Sequence, residues 1–324
     1  MTPQGITGIH HITAISSTAA ENLDFYERVL GLRLVKQTVN FDDPYTYHLY
    51  YGAADGAPGT ILTFFPWERM PSGRPAAGMI VATAFAVPRA VLPYWVERLN
   101  TSGATPQTES RFGETVLSFN DPHGLPLELI GTDALPAASH WEESPVDRAH
   151  AILGFHAATA LVNHLDSTRT LLTGSMGMTL AGRENSRCRF KMSGTDSWGQ
   201  FLDVVVDPGA PQGRQGTGTV HHIAFRAKTD TEQLLWQTAL RREGYGVTEV
   251  RDRSYFKSIY FHEPGGILFE IATDAPGFAV DEPVEHLGRS LMLPAQYERI
   301  RTRIDAGLPP LKRGIGGTSR SGTY

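Results

Sequence analysis

The chain has 324 residues, of which 41% are hydrophobic and 19% are charged, a composition typical of a soluble globular protein with room for two domains. The net charge of −5, without a concentrated basic stripe, argues against a nucleic-acid partner. Only one cysteine is present, Cys188, which rules out an intrachain disulfide and a cysteine-based zinc site and suits the cytoplasm. No apolar run approaches the ~20 residues that span a bilayer, so no membrane partner is expected.

The predicted elements repeat along the chain in four units. The first unit opens with the strand 8-GIHHITAIS-16 and continues with an amphipathic helix over 19–31. The other three open with strands at 79–87, 153–161 and 219–227, followed by helices at 88–103, 165–177 and 230–244. Several strands follow each helix, so the pattern predicts an α+β fold built from four βαβββ modules.

Each unit closes with a glycine turn and a buried strand. The stretches 121-DPHGLPLEL-129 and 263-EPGGILFEI-271 place Glu128 and Glu270 four residues after a glycine. The same offset gives Thr63 in the first unit and Asp203 in the third. Aligned on their apolar pattern, the opening strands place four residues at one shared position: His11, Ala82, His156 and His222.

Unit four alone supplies two good metal ligands, His222 and Glu270. The third ligand could come from unit one, as His11, or from unit three, as His156. Either set contains two imidazoles and one carboxylate, a combination typical of non-haem Fe(II) sites with open coordination positions. Glu270 lies in the apolar stretch 267-ILFEIA-272, where an unpaired carboxylate would be costly and a bound cation would remove that cost.

The repeated His-His-Ile sequence favours His11, because units one and four match each other better than either matches unit three. Neighbouring side chains of a strand point to opposite faces, so His10 and His221 are expected beside the site rather than in it. We interpret His156 as a hydrogen-bonded core residue. Most histidines outside the repeat positions, His48 among them, are interpreted as surface or loop residues.

The chain divides into an N-terminal half, 1–145, with units one and two, and a C-terminal half, 146–290, with units three and four. The remaining segment, 291–324, is predicted to form one surface helix over 294–307. A Gly/Ser-rich mobile tail is expected from residue 312 onward.

The strand and turn sequences of the four units resemble those of the vicinal oxygen chelate superfamily, which includes glyoxalases, bleomycin-resistance proteins and extradiol dioxygenases. The resemblance covers residues 5–275 and is strongest to the hydroquinone-type ring-cleaving dioxygenases, through GIHHITAIS, VHHIAF and the segments 45–67 and 254–270. It implies two pseudo-symmetric open β-barrels with helices packed outside. Proteins of this kind often self-associate, so a homo-oligomer is expected.

The resemblance also implies which residues form the site. It implies Fe(II), or sometimes Mn(II), held by His11, His222 and Glu270, whereas the catechol extradiol enzymes would use His156 with His222 and Glu270. It further implies supporting or catalytic roles for a second group of residues: His10, Thr13, His221, Arg253 and Tyr260. Arg251 is a rival for the role of Arg253.

The resulting hypothesis is oxidative opening of a hydroquinone- or catechol-type ring, with a small aromatic diol and O2 as partners. We expect an apolar pocket lined by aromatic residues drawn from Phe41, Tyr45, Tyr47, Tyr255 and Phe256. One alternative is a glyoxalase-like metal-dependent lyase or isomerase, which usually needs a fourth protein ligand where this chain has Thr63. The other is a non-enzymatic protein that binds aromatic compounds or quinones and confers resistance.

Overall fold

The computed structural model describes residues 4–133, 136, 138–194 and 198–311. Four strands fall in each predicted unit, which agrees with the βαβββ pattern. Units one and two contain β1 Ile9–Ser16, β2 Arg33–Val39, β3 Tyr47–Gly52, β4 Ile61–Pro66, β5 Met79–Pro88, β6 Gln107–Arg111, β7 Glu114–Asn120 and β8 Pro126–Thr132. Units three and four contain β9 Gly154–Val162, β10 Thr179–Glu184, β11 Arg187–Lys191, β12 Phe201–Val206, β13 Thr219–Ala227, β14 Arg251–Asp252, β15 Phe256–His262 and β16 Leu268–Pro276.

A helix follows the first strand of every unit, as predicted. These helices are α1 Ala19–Leu23, α2 Leu92–Ser102, α3 Asp166–Thr170 and α4 Asp230–Arg242. Helices α1 and α3 each continue into a π-helical segment, Asp24–Val29 and Leu171–Ser175. Helix α2 ends at Gly103, whose φ of +86° is accessible to glycine at little steric cost. The predicted C-terminal helix consists of a 3₁₀ segment, Ala295–Ile300, and α5 Arg301–Gly307.

The strands form two eight-stranded mixed sheets. One has the order β14-β15-β16-β13-β1-β4-β3-β2, and the other has the order β10-β11-β12-β9-β5-β8-β7-β6. Units one and four therefore share the first sheet, while units two and three share the second. Each half of the chain, 1–145 and 146–290, contributes one unit to each sheet, so the boundary between the halves does not separate the sheets.

The two sheets have the same internal pseudo-symmetry, which is visible in their central strand pairs. Strands β1 and β13 run antiparallel, and the register skips one residue on each, His10 and His221. Strands β5 and β9 repeat this arrangement and skip Val81 and His156. Each skipped residue forms a β-bulge, which locally bends a strand and re-aims its side chains.

The helices pack their apolar faces against the outer surfaces of the sheets, and large side chains such as Trp95 of α2 and Trp236 of α4 are completely buried there. No helix in the described part of the chain is long and apolar enough to cross a membrane. The predicted mobile tail, from residue 312 onward, lies outside the described residues.

Candidate metal centre

Three buried side chains converge between the central strands of the first sheet. His11 lies on β1, His222 on β13 and Glu270 on β16, and their ligand atoms all lie within 4.8 Å of one another. His222 Nε2 is 2.9 Å from Glu270 Oε2 and 3.4 Å from His11 Nε2. His11 Nε2 is also 3.4 Å from Glu270 Oε2. Adjacent ligands about 2.1 Å from one ion would lie about 3 Å apart, so the spacing fits a divalent cation.

The hydrogen bonds of Glu270 support this fit. Its Oε1 accepts from the Ser258 hydroxyl. Its Oε2 is completely buried and has no well-oriented hydrogen-bond donor among the residues that the structure describes. Burial alone would raise the pKa of Glu270, and positive charge on the neighbouring His11 and His222 lowers it well below its ordinary range. A buried, ionised oxygen without a donor is costly, and a cation between the three side chains would remove that cost.

The histidine doublets fix which ring nitrogen faces the centre. His10 Nε2 lies 3.1 Å from the carbonyl oxygen of Thr273, and His10 Nδ1 lies 2.9 Å from His11 Nδ1. A carbonyl can only accept, so His10 Nε2 donates and the neutral ring accepts through Nδ1. His11 must then donate from Nδ1, which leaves His11 Nε2 without a proton and able to bind a metal.

The second doublet repeats this bond, with 2.8 Å between His221 Nδ1 and His222 Nδ1. His221, the outer histidine of this doublet, is less buried than His10. Its ring lines two cavities, whereas the ring of His10 is hydrogen-bonded to a backbone carbonyl. Burial, followed by the neighbouring His222, lowers the pKa of His221 to about 3. Burial and then His11 lower the pKa of His10 as well. Both outer rings are therefore neutral near pH 7.

A cavity of about 280 Å³ opens onto the centre beside His11 and His222. Its wall includes two of the five aromatic residues predicted for it, Phe41 and Phe256. The prediction was wrong for the other three. Tyr45 is exposed, Tyr47 donates to the carbonyl of Pro309, and Tyr255 donates to Asp281. The cavity wall instead includes a set contributed mainly by β3 and the end of β4: His48, Tyr50, Phe65 and Trp67.

Arg253 and Tyr260 both line this cavity. Arg253 Nε lies 3.3 Å from the Tyr260 oxygen, and the guanidinium packs 5.3 Å from the ring centre of Phe41. Burial, and then Glu270, raise the pKa of Tyr260, so its phenol stays protonated. Arg251, the rival position, is exposed on β14. The structure thus places Arg253, and not Arg251, in the wall of the cavity.

His156 does not reach this centre, and its predicted alignment with His11 and His222 is off by one residue. The register of the second sheet makes His156 a bulge residue, equivalent to His221, and puts Ala157 at the ligand position. His156 Nε2 lies 2.9 Å from Glu114. Burial alone would raise the pKa of Glu114, but His156 and Arg189 lower it to about 2. The interpretation of His156 as a hydrogen-bonded core residue agrees with these contacts.

The term cup is used here for the place in each sheet where the ligand positions of its two units meet, which in the first sheet holds His11, His222 and Glu270. In the second sheet, arginine side chains pair with the carboxylates of the equivalent cup. On the closing strands of units two and three, Glu128 and Asp203 occupy the position that Thr63 and Glu270 occupy in units one and four. Arg111 Nη2 lies 2.7 Å from Glu128, and Arg189 Nε lies 2.8 Å from Asp203. Both carboxylates are therefore neutralised by guanidinium groups. The described residues contain one cluster of metal-ligand geometry, and it lies in the first sheet.

His48 is the cavity residue that the sequence interpretation missed. It is 8% exposed and lies on β3, where its Nε2 is 2.8 Å from Thr63 Oγ1 and its Nδ1 is 2.9 Å from the Tyr50 oxygen. The alternation of 47-YHLYYG-52, which places His48 and Tyr50 on one face of a strand, was the available signal. The Thr63 hydroxyl is hydrogen-bonded to His48 and to Thr13.

The fold and site define a pseudo-symmetric two-sheet protein with one open His/His/Glu cup. A family model for the Glyoxalase/Bleomycin resistance protein/Dioxygenase superfamily matches residues 8–129 and 154–271. The chain belongs to this superfamily. The resemblance inferred from the sequence and its two-barrel α+β fold are thereby confirmed.

Its relatives include proteins named as ring-cleaving enzymes. The chain is 49% identical over 305 residues to "Putative ring-cleaving dioxygenase MhqO" of Bacillus subtilis (strain 168), covering 94% of this chain and 96% of the relative. It is 34% identical over 313 residues to chlorohydroquinone/hydroquinone 1,2-dioxygenase of Sphingobium indicum, covering 93% and 96%. A crystal structure described as a putative dioxygenase from Bacillus subtilis shares 48% identity at a TM-score of 0.92, covering 95% of this chain and 98% of that chain.

Metal binding is expected to stabilise the folded protein. A ligand that binds only the native state at 100 times its Kd adds about 2.7 kcal/mol to the free energy of unfolding, which raises Tm by roughly 4 °C when all 324 residues unfold as one unit. Anaerobic thermal unfolding with Fe(II) or Mn(II) measures this effect. Mg(II), which prefers oxygen ligands, should leave Tm unchanged. An equal rise with Mg(II) would argue against a nitrogen-rich site.

Proposed function

We propose that the protein is a non-haem Fe(II)-dependent dioxygenase that opens the ring of a dihydroxylated aromatic with O2, with hydroquinone-type diols as the first substrates to test. The observation that carries this proposal is the buried set His11, His222 and Glu270 at the base of an aromatic-lined cavity. Two imidazoles and one carboxylate leave open positions for a substrate and O2. The names of the relatives in Bacillus and Sphingobium support the same reaction class.

Fe(II) held by His11, His222 and Glu270, or Mn(II) in its place, would act as a Lewis acid toward the substrate phenol and would provide a path for electron density from the diol ring, which is the reductant, to O2. The chain's own residues define the surroundings of that chemistry. His10, anchored on the Thr273 carbonyl, fixes the ring of His11. Packed rings such as Phe256, whose centroid lies 4.8 Å from that of His11, exclude water from the cup.

The remaining polar residues of the cavity are given roles according to their charge and their capacity to donate or accept hydrogen bonds. Arg253 would attract the anionic form of the substrate, and the Tyr260 phenol would donate to its oxygen. His221 lies between the metal ligand His222 and two cavities. Because its Nδ1 is bonded to His222, its Nε2–H would donate a hydrogen bond to an oxygen of the substrate or product. Thr13, on the same face of β1 as His11, would donate to an oxygen bound beside it.

The glyoxalase-like lyase reaction is less well supported. Enzymes of that kind usually need a fourth protein ligand, and the corresponding position is Thr63. The Thr63 hydroxyl is instead bonded to His48 and Thr13. The coordination sphere is therefore left open, which favours a reaction in which both a substrate and O2 bind.

The test is anaerobic reconstitution with Fe(II), or separately Mn(II), followed by O2 uptake with methylhydroquinone and with catechol. Mass spectrometry of the product should find both oxygen atoms of labelled O2 in a ring-opened acid. Uptake with methylhydroquinone supports a para-diol enzyme, and uptake with catechol alone supports an ortho-diol enzyme. Bound metal without uptake of O2 for either diol contradicts the proposal. The single cysteine and the reducing conditions that Fe(II) needs favour a cytoplasmic role.

Tyr260→Phe is expected to lower kcat/KM for the diol about tenfold, the equivalent of one lost hydrogen bond to a charged oxygen. Metal content should stay unchanged, because Tyr260 contributes no ligand. Steady-state O2 uptake and metal analysis of the same preparation measure both. Tyr47→Phe, which removes a phenol outside the cavity, is the matched control. A Tyr260→Phe protein with unaltered kcat/KM would remove Tyr260 from the proposed machinery.

A further inference from the structure

A chain of four hydrogen-bonding side chains runs along the cavity wall on the side of β3 and β4, and three of the four line the cavity. It runs from Tyr50 to His48 at 2.9 Å, from His48 to Thr63 at 2.8 Å, and from Thr63 to Thr13 at 3.1 Å. All four residues are at most 8% exposed. The chain ends at Thr13, which lines the cavity two residues from His11. Neither the sequence pattern nor the proposed metal site accounts for Tyr50 and His48.

The chemistry of the two hydroxyls that flank His48 sets the direction of its proton. A neutral imidazole carries one proton, so one ring nitrogen donates and the other accepts. The Tyr50 phenol is more acidic than the Thr63 alcohol and its oxygen is the weaker acceptor. Burial raises the pKa of Tyr50 further, so the phenol keeps its proton. Tyr50 therefore donates to His48 Nδ1, and His48 Nε2 donates to Thr63.

The proton of Thr63 then has one acceptor. Thr63 is completely buried, and its hydroxyl contacts only His48 and Thr13 among the described side chains. Because it accepts from His48, it can donate to Thr13 Oγ1, and otherwise its proton would be stranded. Thr13 accepts this bond, so its own proton is free to point into the cavity. Bonds that run in one direction polarise and strengthen one another.

We propose that Tyr50, His48 and Thr63 are positioning residues that hold the Thr13 hydroxyl as a directed hydrogen-bond donor to an anionic oxygen bound in the cavity beside His11. This assignment deepens the proposed function and rests on it for the identity of that oxygen, which would belong to the substrate or to O2. The direction of the chain is a property of the protein alone. It can therefore be tested without metal or substrate.

The first measurement is the tautomer of His48 in the metal-free protein, from ¹⁵N chemical shifts of histidine-labelled samples assigned with His48→Gln. The Nε2–H form is expected. Tyr50→Phe should produce a mixture of tautomers, because the phenol that selects the form is gone. Tyr26→Phe, which removes an equally buried phenol bonded to Asp121, should leave the His48 signal unchanged. An Nδ1–H form in the unsubstituted protein overturns the proposal.

The second measurement is a double-mutant cycle on O2 uptake by the Fe(II)-loaded protein. Thr13→Val should lower kcat about 100-fold, as loss of one donor to a developing negative charge does, and Tyr50→Phe alone should lower it about tenfold. Adding Tyr50→Phe to Thr13→Val should cost nothing further, because Tyr50 acts through Thr13. Additive losses would overturn the proposal that Tyr50 acts through Thr13. Absence of O2 uptake in the unsubstituted protein would refute the proposed function. The tautomer of His48 would still test the direction of the hydrogen-bond chain in that case.

Discussion

His11→Ala is expected to lower O2 uptake by at least about 100-fold and to lose most of the bound metal, whereas His156→Ala should keep both. Even residues that only support a metal ligand typically cost 10–100-fold when replaced, and His11 is one of the three ligand candidates that meet here in the described part of the chain. His156 lies in the other sheet, bonded to Glu114. Metal content and O2 uptake of both variants measure the difference.

Thermal unfolding supplies the control for this pair. His156→Ala removes the buried partner of Glu114 and should lower the free energy of unfolding by about 1–3 kcal/mol. His11→Ala in its metal-free form should lose a similar amount, because it leaves the buried Nδ1 of His10 without its donor; equal losses of stability would show that metal is not lost merely through unfolding. The reverse pattern, with metal lost only in His156→Ala, would move the site to units three and four.

Glu270→Gln is expected to weaken Fe(II) and Mn(II) binding by at least about 100-fold while keeping the shape of the side chain. The amide carries no charge to offset the dication, and it also loses the ionised oxygen that contacts both His11 and His222. Equilibrium competition with a chelator measures the two dissociation constants. O2 uptake should fall in proportion to the metal lost.

The matched control is the same substitution at the equivalent position of the second sheet, Glu128→Gln. It leaves the buried Arg111 without its closest partner, at a cost of up to about 3 kcal/mol, the lower end for a broken buried pair. Glu109, 3.3 Å from Arg111 Nε, offsets part of the loss. Metal affinity should be unchanged. If Glu128→Gln lost the metal and Glu270→Gln did not, the assignment of the cup would be wrong.

The sequence determined the repeat and the chemical type of the site. Three local patterns located all four modules: strand alternation, helix periodicity and glycine turns such as those before Glu128 and Glu270. They sufficed because these patterns recur from one module to the next. They also supplied the ligand types, since a glutamate within an apolar strand needs a partner. His11, His222 and Glu270 were consequently identifiable as one of two possible sets.

Only the tertiary structure shows which of the two sets is brought together, because strand pairing between distant units leaves no local trace in the sequence. The antiparallel pairing of β1 with β13 joined units one and four and brought His11 to His222. The bulge on β9 moved His156 one position away from the ligand alignment, and a one-residue shift turns a side chain to the other face. The burial of His48 and the arginines that close the second cup depend equally on contacts across the sheets, which only the folded chain creates.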